Sequence, residues 1–216
     1  MTLKLAVQGL HTWSSLQGYE VLARKIEPEG KILVPHQFVL PERGLSWSEL
    51  DSMVLGLANT SDFLRNTSVP IFINLSAATL KNEIFLERAV NKLLVLREWV
   101  SNDVVLEVSE KYQATTEVMV DQVTYLRSLG IKMAIDDFGF EHSDFERLKS
   151  VHWDYCKVDL TALKSSENLN WLHEAYEYCK SDGVQMCEVI ESLKGAWIQG
   201  FSLSKPMLID SPAGSN

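Results

Sequence analysis

The sequence predicts an α/β fold that closes as a (β/α)8 barrel, with one antiparallel strand near the N-terminus and a shortened C-terminal part. Three observations carry this. Roughly eight β-rich runs alternate with helix-like segments, the order that parallel βαβ units produce. The first two runs are joined by only "HTWSSLQG", too short for a parallel crossover, so one of them runs antiparallel. The last two are joined by "SLKGA", where no helix fits.

In chain order the strands are expected at "LKLAVQGL", "YEVLARKI", "VPIFINLSA", "DVVLEVSE", "IKMAIDDFG", "WDYCKVDL", "VQMCEVIE" and "AWIQGFSLS". The helices are expected at "SWSELDSMVLGLA", "AATLKNEIFLERAVNKLLVLREWV", "TTEVMVDQVTYLRSL", "SDFERLKSV" and "ENLNWLHEAYEYCKSDG". In the fifth strand Ile131, Met133 and Ile135 alternate with Lys132 and Ala134, and Gly139 breaks the run. Asp136 and Asp137 therefore stand at a strand's exit. That position alone is equally consistent with an ordinary turn.

With 216 residues, 46% apolar and 23% charged, the composition is that of one globular domain spanning 1–216, with 211–216 as a flexible tail. Lys+Arg number 20 against 29 Asp+Glu, a formal charge of -9, and no basic cluster could track a phosphate backbone, so duplex nucleic acid is excluded as a partner. Cys156, Cys179 and Cys187 are odd in number and lack metal-type or CxxC spacing, which reads as reduced thiols in a cytoplasmic protein. No signal peptide or membrane span is visible, so any link to a membrane needs another domain or partner. The six tryptophans are scattered as packing residues, and His36 and His142 lack partners at ligand spacing.

Nearly every strand delivers a polar residue near its end: Glu20, Asn74, Glu107 and Glu110, Asp136 and Asp137, Lys157 and Asp159, Glu188 and Glu191, and Gln199. Barrel enzymes draw their catalytic groups from that face and from several strands at once. Two carboxylates about 4 Å apart repel by roughly 4 kcal/mol at an effective dielectric of about 20. Glu20, Glu107, Asp136, Asp137 and Glu188 together therefore call for cations. Two divalent ions and Lys157 would balance them, with Asn74 as a neutral ligand. Oxygen-rich ligation favours Mg²⁺ or Mn²⁺ over Zn²⁺. Alternative roles stay open at this point: Lys157 could pair with Asp159, Arg24 beside Lys25 could be a solvated charge, and Glu110 reads as a loop support.

"EVLAR", "INLSA", "LEVSE", "AIDDFG", "KVD", "EVIE" and "QGFSLSKP", in this order from Gln8 to Pro206, resemble the EAL-domain phosphodiesterases that hydrolyse cyclic di-GMP. The resemblance implies a modified TIM barrel and linear pGpG as product. It implies that Glu20, Asn74, Glu107 and Asp136 hold one metal, with Asp136 bridging to a second held by Asp137 and Glu188. Lys157 and Glu188 become the two candidates for activating the attacking water. Gln8, Arg24, Glu191 and Gln199 become substrate-side groups, and Glu110 and Asp159 supports.

The pattern also departs from the family. The triplet that names it reads Glu-Val-Leu here. Phe140, Glu141, His142, Ser143 and Asp144 replace the usual Thr-Gly and Tyr-Ser-Ser-like run, which supports the second metal and a homodimer contact; the second site is therefore expected to be weak, empty without substrate or displaced. Val189 replaces a Gly, the following helix is deleted, and no Gly-Gly-Asp-Glu-Phe synthase motif is present. The retained acids favour a working enzyme. The altered loop favours the alternative, a degenerate domain acting as a cyclic di-GMP sensor or a protein-binding regulator.

Overall fold

The short first connection makes a hairpin: β1 (Thr2–His11) and β2 (Leu16–Ile26) pair antiparallel, with Gln8 opposite Glu20 and Leu10 opposite Gly18. The computed structural model describes residues 2–12, 14–40, 44–139, 145–187, 197–199 and 203–209. From β2 onward the barrel strands are parallel neighbours: β4 (Ile71–Leu75), β5 (Val104–Val108), β6 (Lys132–Phe138), β7 (Tyr155–Val158) and β8 (Gln185–Cys187). A two-residue bridge then closes the ring. Trp197 pairs parallel with Cys187, and Ile198 pairs antiparallel with His11 through hydrogen bonds of 2.6 and 2.8 Å. β1 is thus antiparallel to both flanks, as the connection length requires. Outside the ring, β3 (Ile32–Leu33) extends β2, and β9 (Met207–Ile209) lies against Leu5–Val7 of β1.

Helices cover the outer face. α2 (Trp47–Ala58) starts at a capping box in which Ser46 and Glu49 satisfy each other's backbone N–H groups. The segment expected as one helix over 77–100 is two, α4 (Ala77–Leu80) and α5 (Glu83–Trp99), because the Asn82 side chain accepts from the N–H groups of Ile84 and Phe85 and starts a new helix there. α6 (Thr116–Ser128) is capped by Thr115, and α7 (Phe145–Ser150), α8 (Leu160–Ser165) and α9 (Asn170–Asp182) follow. Short turns α1 (Pro35–Phe38) and α3 (Asp62–Arg65) complete the set among the described residues. None of these helices is long and apolar enough to cross a membrane.

Period-two alternation sorts the strand residues into two cores. Ile71, Ile73 and Leu75, Val104, Leu106 and Val108, Met133 and Ile135, and Cys156 and Val158 face outward into the large core under the helices. Leu10, Phe72, Val105, Ala134 and Cys187, with Tyr155 and Trp197, face inward and form a separate plug. Its centre is aromatic, with Phe72 and Tyr155 ring centroids 4.9 Å apart and Tyr155 and Trp197 5.3 Å apart. Burial on both faces explains why these strands read as almost unbroken apolar runs.

Candidate active site

The next inward position along β4, β5, β6, β7 and the closing bridge carries a polar group. Two residues beyond Phe72, Val105, Ala134, Tyr155 and Trp197 stand Asn74, Glu107, Asp136, Lys157 and Gln199. On the antiparallel β1 the order reverses, and Gln8 precedes Leu10 by two. A polar layer therefore lies directly on the apolar plug. Lys157 stands at its centre, with Nζ 2.7 Å from Glu107 Oε1, 3.3 Å from Glu20 Oε2 and 3.4 Å from Asp136 Oδ1. Glu20 is held by two amides: Asn74 Nδ2 donates to Oε1 at 3.0 Å and Gln199 Nε2 donates to Oε2 at 2.7 Å.

Regular alternation would send Asp136 and Asp137 to opposite faces. Between Ile135 and Phe138 the pairing of β6 with β7 slips by one residue, and Asp137 adopts φ 52°, the left-handed region that non-glycine residues rarely occupy. This bulge answers why two aspartates end the strand. Asp136 reaches the Lys157 ammonium, and Asp137 is turned to the Glu110 carboxylate, with which it shares a hydrogen bond. Ser109 Oγ also donates to Glu110, at 2.7 Å.

Among the described residues, the three acids at Lys157 and the adjacent Asp137 set four carboxylates against one ammonium, a formal deficit of three charges that the protonation equilibria reflect. Burial raises the Glu107 carboxyl well above its usual range; Lys157 opposes this, while Glu20 and Asp136 add to it. Asp136 is raised by burial for the same reason, against the pull of Lys157. Asp137 is pushed up to about 9 by burial, by the Asp136 charge and by its contact with Glu110. Burial would raise Glu20 as well, but Lys157, Gln199 and Asn74 outweigh it and hold its carboxyl below the usual range. Among the described groups Lys157 does not balance the acids by itself, and the raised carboxyls offset part of the deficit by holding protons.

The donor set fits hard divalent ions: it consists of carboxylates and one amide, and the fully buried Glu107 Oε2 accepts no hydrogen bond among the described residues. The carboxylates surround an ammonium, however, and among the described residues no group of three or more His, Cys, Asp and Glu stands arranged to hold an ion by itself. Glu188, Glu191, Val189, the segment expected to have lost a helix and the 140–144 loop lie outside the described residues.

The remaining expected residues take definite places. Lys157 pairs with the three acids and not with Asp159, whose carboxylate accepts from Ala162 N at 2.5 Å and caps α8. Gln8 Nε2 donates to Ser204 O at 3.1 Å, tying β1 to the C-terminal segment, and Gln199 supports Glu20. Arg24 is not a simple solvated charge. It is half-buried and lines a cavity of about 410 Å³ that opens beside Glu20 and Asn74, walled by Pro35, Trp47 and Ala77. A somewhat larger cavity of 470 Å³ lies between the start of α6 and α7, with none of the polar layer on its walls. Two residues not singled out from sequence matter here. Asp51 Oδ2 accepts from Ser76 N, Ser76 Oγ and Thr79 Oγ1, which fixes the turn after Asn74. Arg147 is buried and donates to four backbone carbonyls around Glu110. Its helix pattern gave no sign of burial.

Residues 7–206 match the family model described as EAL domain. The chain is 27% identical to the cyclic di-GMP phosphodiesterase PdeB of Shewanella oneidensis, over 95% of its own length and 26% of that protein. It is 28% identical to the uncharacterized EAL-domain containing protein YkuI of Bacillus subtilis, over 88% of its length and 51% of that protein. It thus spans about half or less of these curated relatives. The structure of YkuI in complex with cyclic di-GMP and calcium superposes with a TM-score of 0.74 at 25% identity, covering 95% of this chain and 56% of that one. The PaMucR phosphodiesterase in its cyclic di-GMP complex gives 0.77 at 22% identity, covering 95% and 92%.

Proposed function

The chain belongs to the EAL domain family, and from that premise we propose that it is a divalent-metal-dependent phosphodiesterase that opens cyclic di-GMP to linear pGpG. The observation that carries this reading is the buried deficit of three charges, among the described residues, where three strands deliver Glu20, Glu107, Asp136 and Asp137 around the Lys157 ammonium. Mg²⁺ or Mn²⁺, when bound, would supply Lewis acidity toward a phosphate diester and a water. Glu20, Asn74, Glu107 and Asp136 would hold one ion; Asp137 and Glu188 would contribute to a second.

The chain's own residues then divide the work. Lys157, held among three carboxylates, orients the attacking water and neutralises charge that develops on the phosphate. Arg24 anchors a phosphate oxygen from the wall of the 410 Å³ cavity, where the Trp47 ring offers a flat surface to a purine. The aromatic plug beneath the layer keeps water from entering from below.

A second reading, a nucleotide sensor or protein-binding regulator without turnover, draws support from the ammonium standing amid the acids and from the lack of a ready metal cage among the described residues. One assay separates the two. Purified protein incubated with cyclic di-GMP and Mn²⁺ or Mg²⁺ is expected to form pGpG, and chelation to stop it. Binding of cyclic di-GMP without pGpG under either ion would leave the sensor.

A further inference from the structure

The turn that follows β5 carries Glu110, and its backbone is gathered round a single side chain. Arg147 on α7 is only 8% exposed. Its Nη2 donates to Ser109 O at 3.0 Å and Val108 O at 3.4 Å, and its Nη1 donates to Tyr112 O at 3.3 Å and Glu110 O at 3.4 Å. Arg147 is itself fixed from below, since Trp153 Nε1 donates to its carbonyl at 3.2 Å. Four carbonyls spread over five residues match a planar fork of donors, and no other side chain has that shape. Glu110 in turn meets Asp137, the residue held at φ 52°. A left-handed aspartate costs about 1–2 kcal/mol and persists only where its surroundings determine it.

We infer that Arg147 is a positioning residue: by clamping the carbonyls from Val108 to Tyr112 it fixes Glu110, and through Glu110 it holds Asp137 in the conformation needed for the second metal ion. This rests on the metal-dependent reading above. Among the described residues the guanidinium's hydrogen bonds go to the carbonyls of the turn and not to the acids of the first site, so its influence is expected to fall on one ion and spare the other. Charge alone does not suffice, because an ammonium cannot satisfy carbonyls on both sides of the turn.

The test uses the full chain as Arg147→Lys, Arg147→Met and Arg147→Ala. Calorimetric titration with Mn²⁺ should show two ions in the unaltered protein. All three variants should keep the tighter ion nearly unchanged and weaken the other by about 10- to 100-fold. Lys should rescue no better than Met, whereas millimolar methylguanidinium should restore the weaker ion in Arg147→Ala. Equal weakening of both ions, rescue by Lys, or two ions at unaltered affinity would overturn the inference. If the unaltered protein binds no Mn²⁺, the phosphodiesterase reading fails by itself. Arg147 is then judged by amide exchange of Lys111 and Tyr112, whose N–H groups bond Ser109 at 3.2 and 3.0 Å. Protection lost at those two amides in Arg147→Lys, with the β5 amides unchanged, would support the clamp; unchanged protection at the turn would refute it.

Discussion

Lys157 Nζ lies 2.7 Å from Glu107 Oε1, and both side chains are almost wholly buried inside the barrel. One cation on one strand and one anion on the next but one thus organise the polar layer before any ligand arrives.

Glu107→Gln keeps the shape and removes one buried charge. In the metal-free protein the expected result is a melting temperature equal to or above that of the parent, since a carboxyl already raised by burial loses nothing as an amide. Mn²⁺ at about 100 times its Kd should stabilise the parent by about 2.7 kcal/mol, and the variant by much less. Thermal melts with chelator and with Mn²⁺ give both answers.

Lys157→Ala should cut turnover by about 10²–10⁴-fold while changing cyclic di-GMP affinity by only a small factor. Arg24→Ala should do the opposite and chiefly weaken binding. Equal losses of affinity in the two variants, by calorimetry under Ca²⁺, would sink this division.

Asp137→Asn tests the electrostatics of the bulge. The folded-state carboxyl stands at about 9, above an ordinary value of 3.8, so the folded protein binds the extra proton between those limits. Stability from that proton is complete below the ordinary value and is lost as pH rises toward 9. Chelator-treated parent protein should therefore lose stability from acid to alkaline pH more steeply than Asp137→Asn. Parallel urea midpoints across that range would contradict it.

Gly18→Ala probes the seam between plug and site. The added Cβ would lie 2.9 Å from Phe72 Cε2 and 3.3 Å from Pro70 O, so the Phe72 ring must move. A loss of about 1–3 kcal/mol is expected in urea unfolding. An unchanged midpoint would mean that the plug is loosely packed.

The order of the barrel strands and the polar layer were legible because both follow local rules: a period of two sets the face, and a connection's length sets direction. Other features needed neighbours. β3, β9 and the turns α1, α3 and α8 span two to six residues, too short for any periodicity to register. In the sequence Asn82 reads as one more polar residue of a long helix, although its side chain caps the helix that follows. Arg147 sits between Glu146 and Lys149 in a run that reads as a solvated face; only the carbonyls of a distant turn make it a buried group. Asp136 and Asp137 were found by their position, but the bulge that turns both to use depends on the register of β7.

The ring closes late along the chain. Glu20 receives one of its two amide donors from Gln199, 179 positions away, and among the described residues β1 joins the far side of the barrel through the Trp197–Ile198 bridge. The length-dependent part of that closure costs on the order of 4–5 kcal/mol in chain entropy, whereas each parallel neighbour from β4 to β8 is reached over a far shorter loop. On the ribosome, most of the wall and Lys157 would therefore assemble first, as an open trough with Glu20 half-satisfied. On the metal-dependent reading, metal affinity would then mature in the final folding step, when the closing segment swings in and supplies Gln199, so a nascent chain has little means to sequester ions or nucleotide before it is complete through that residue.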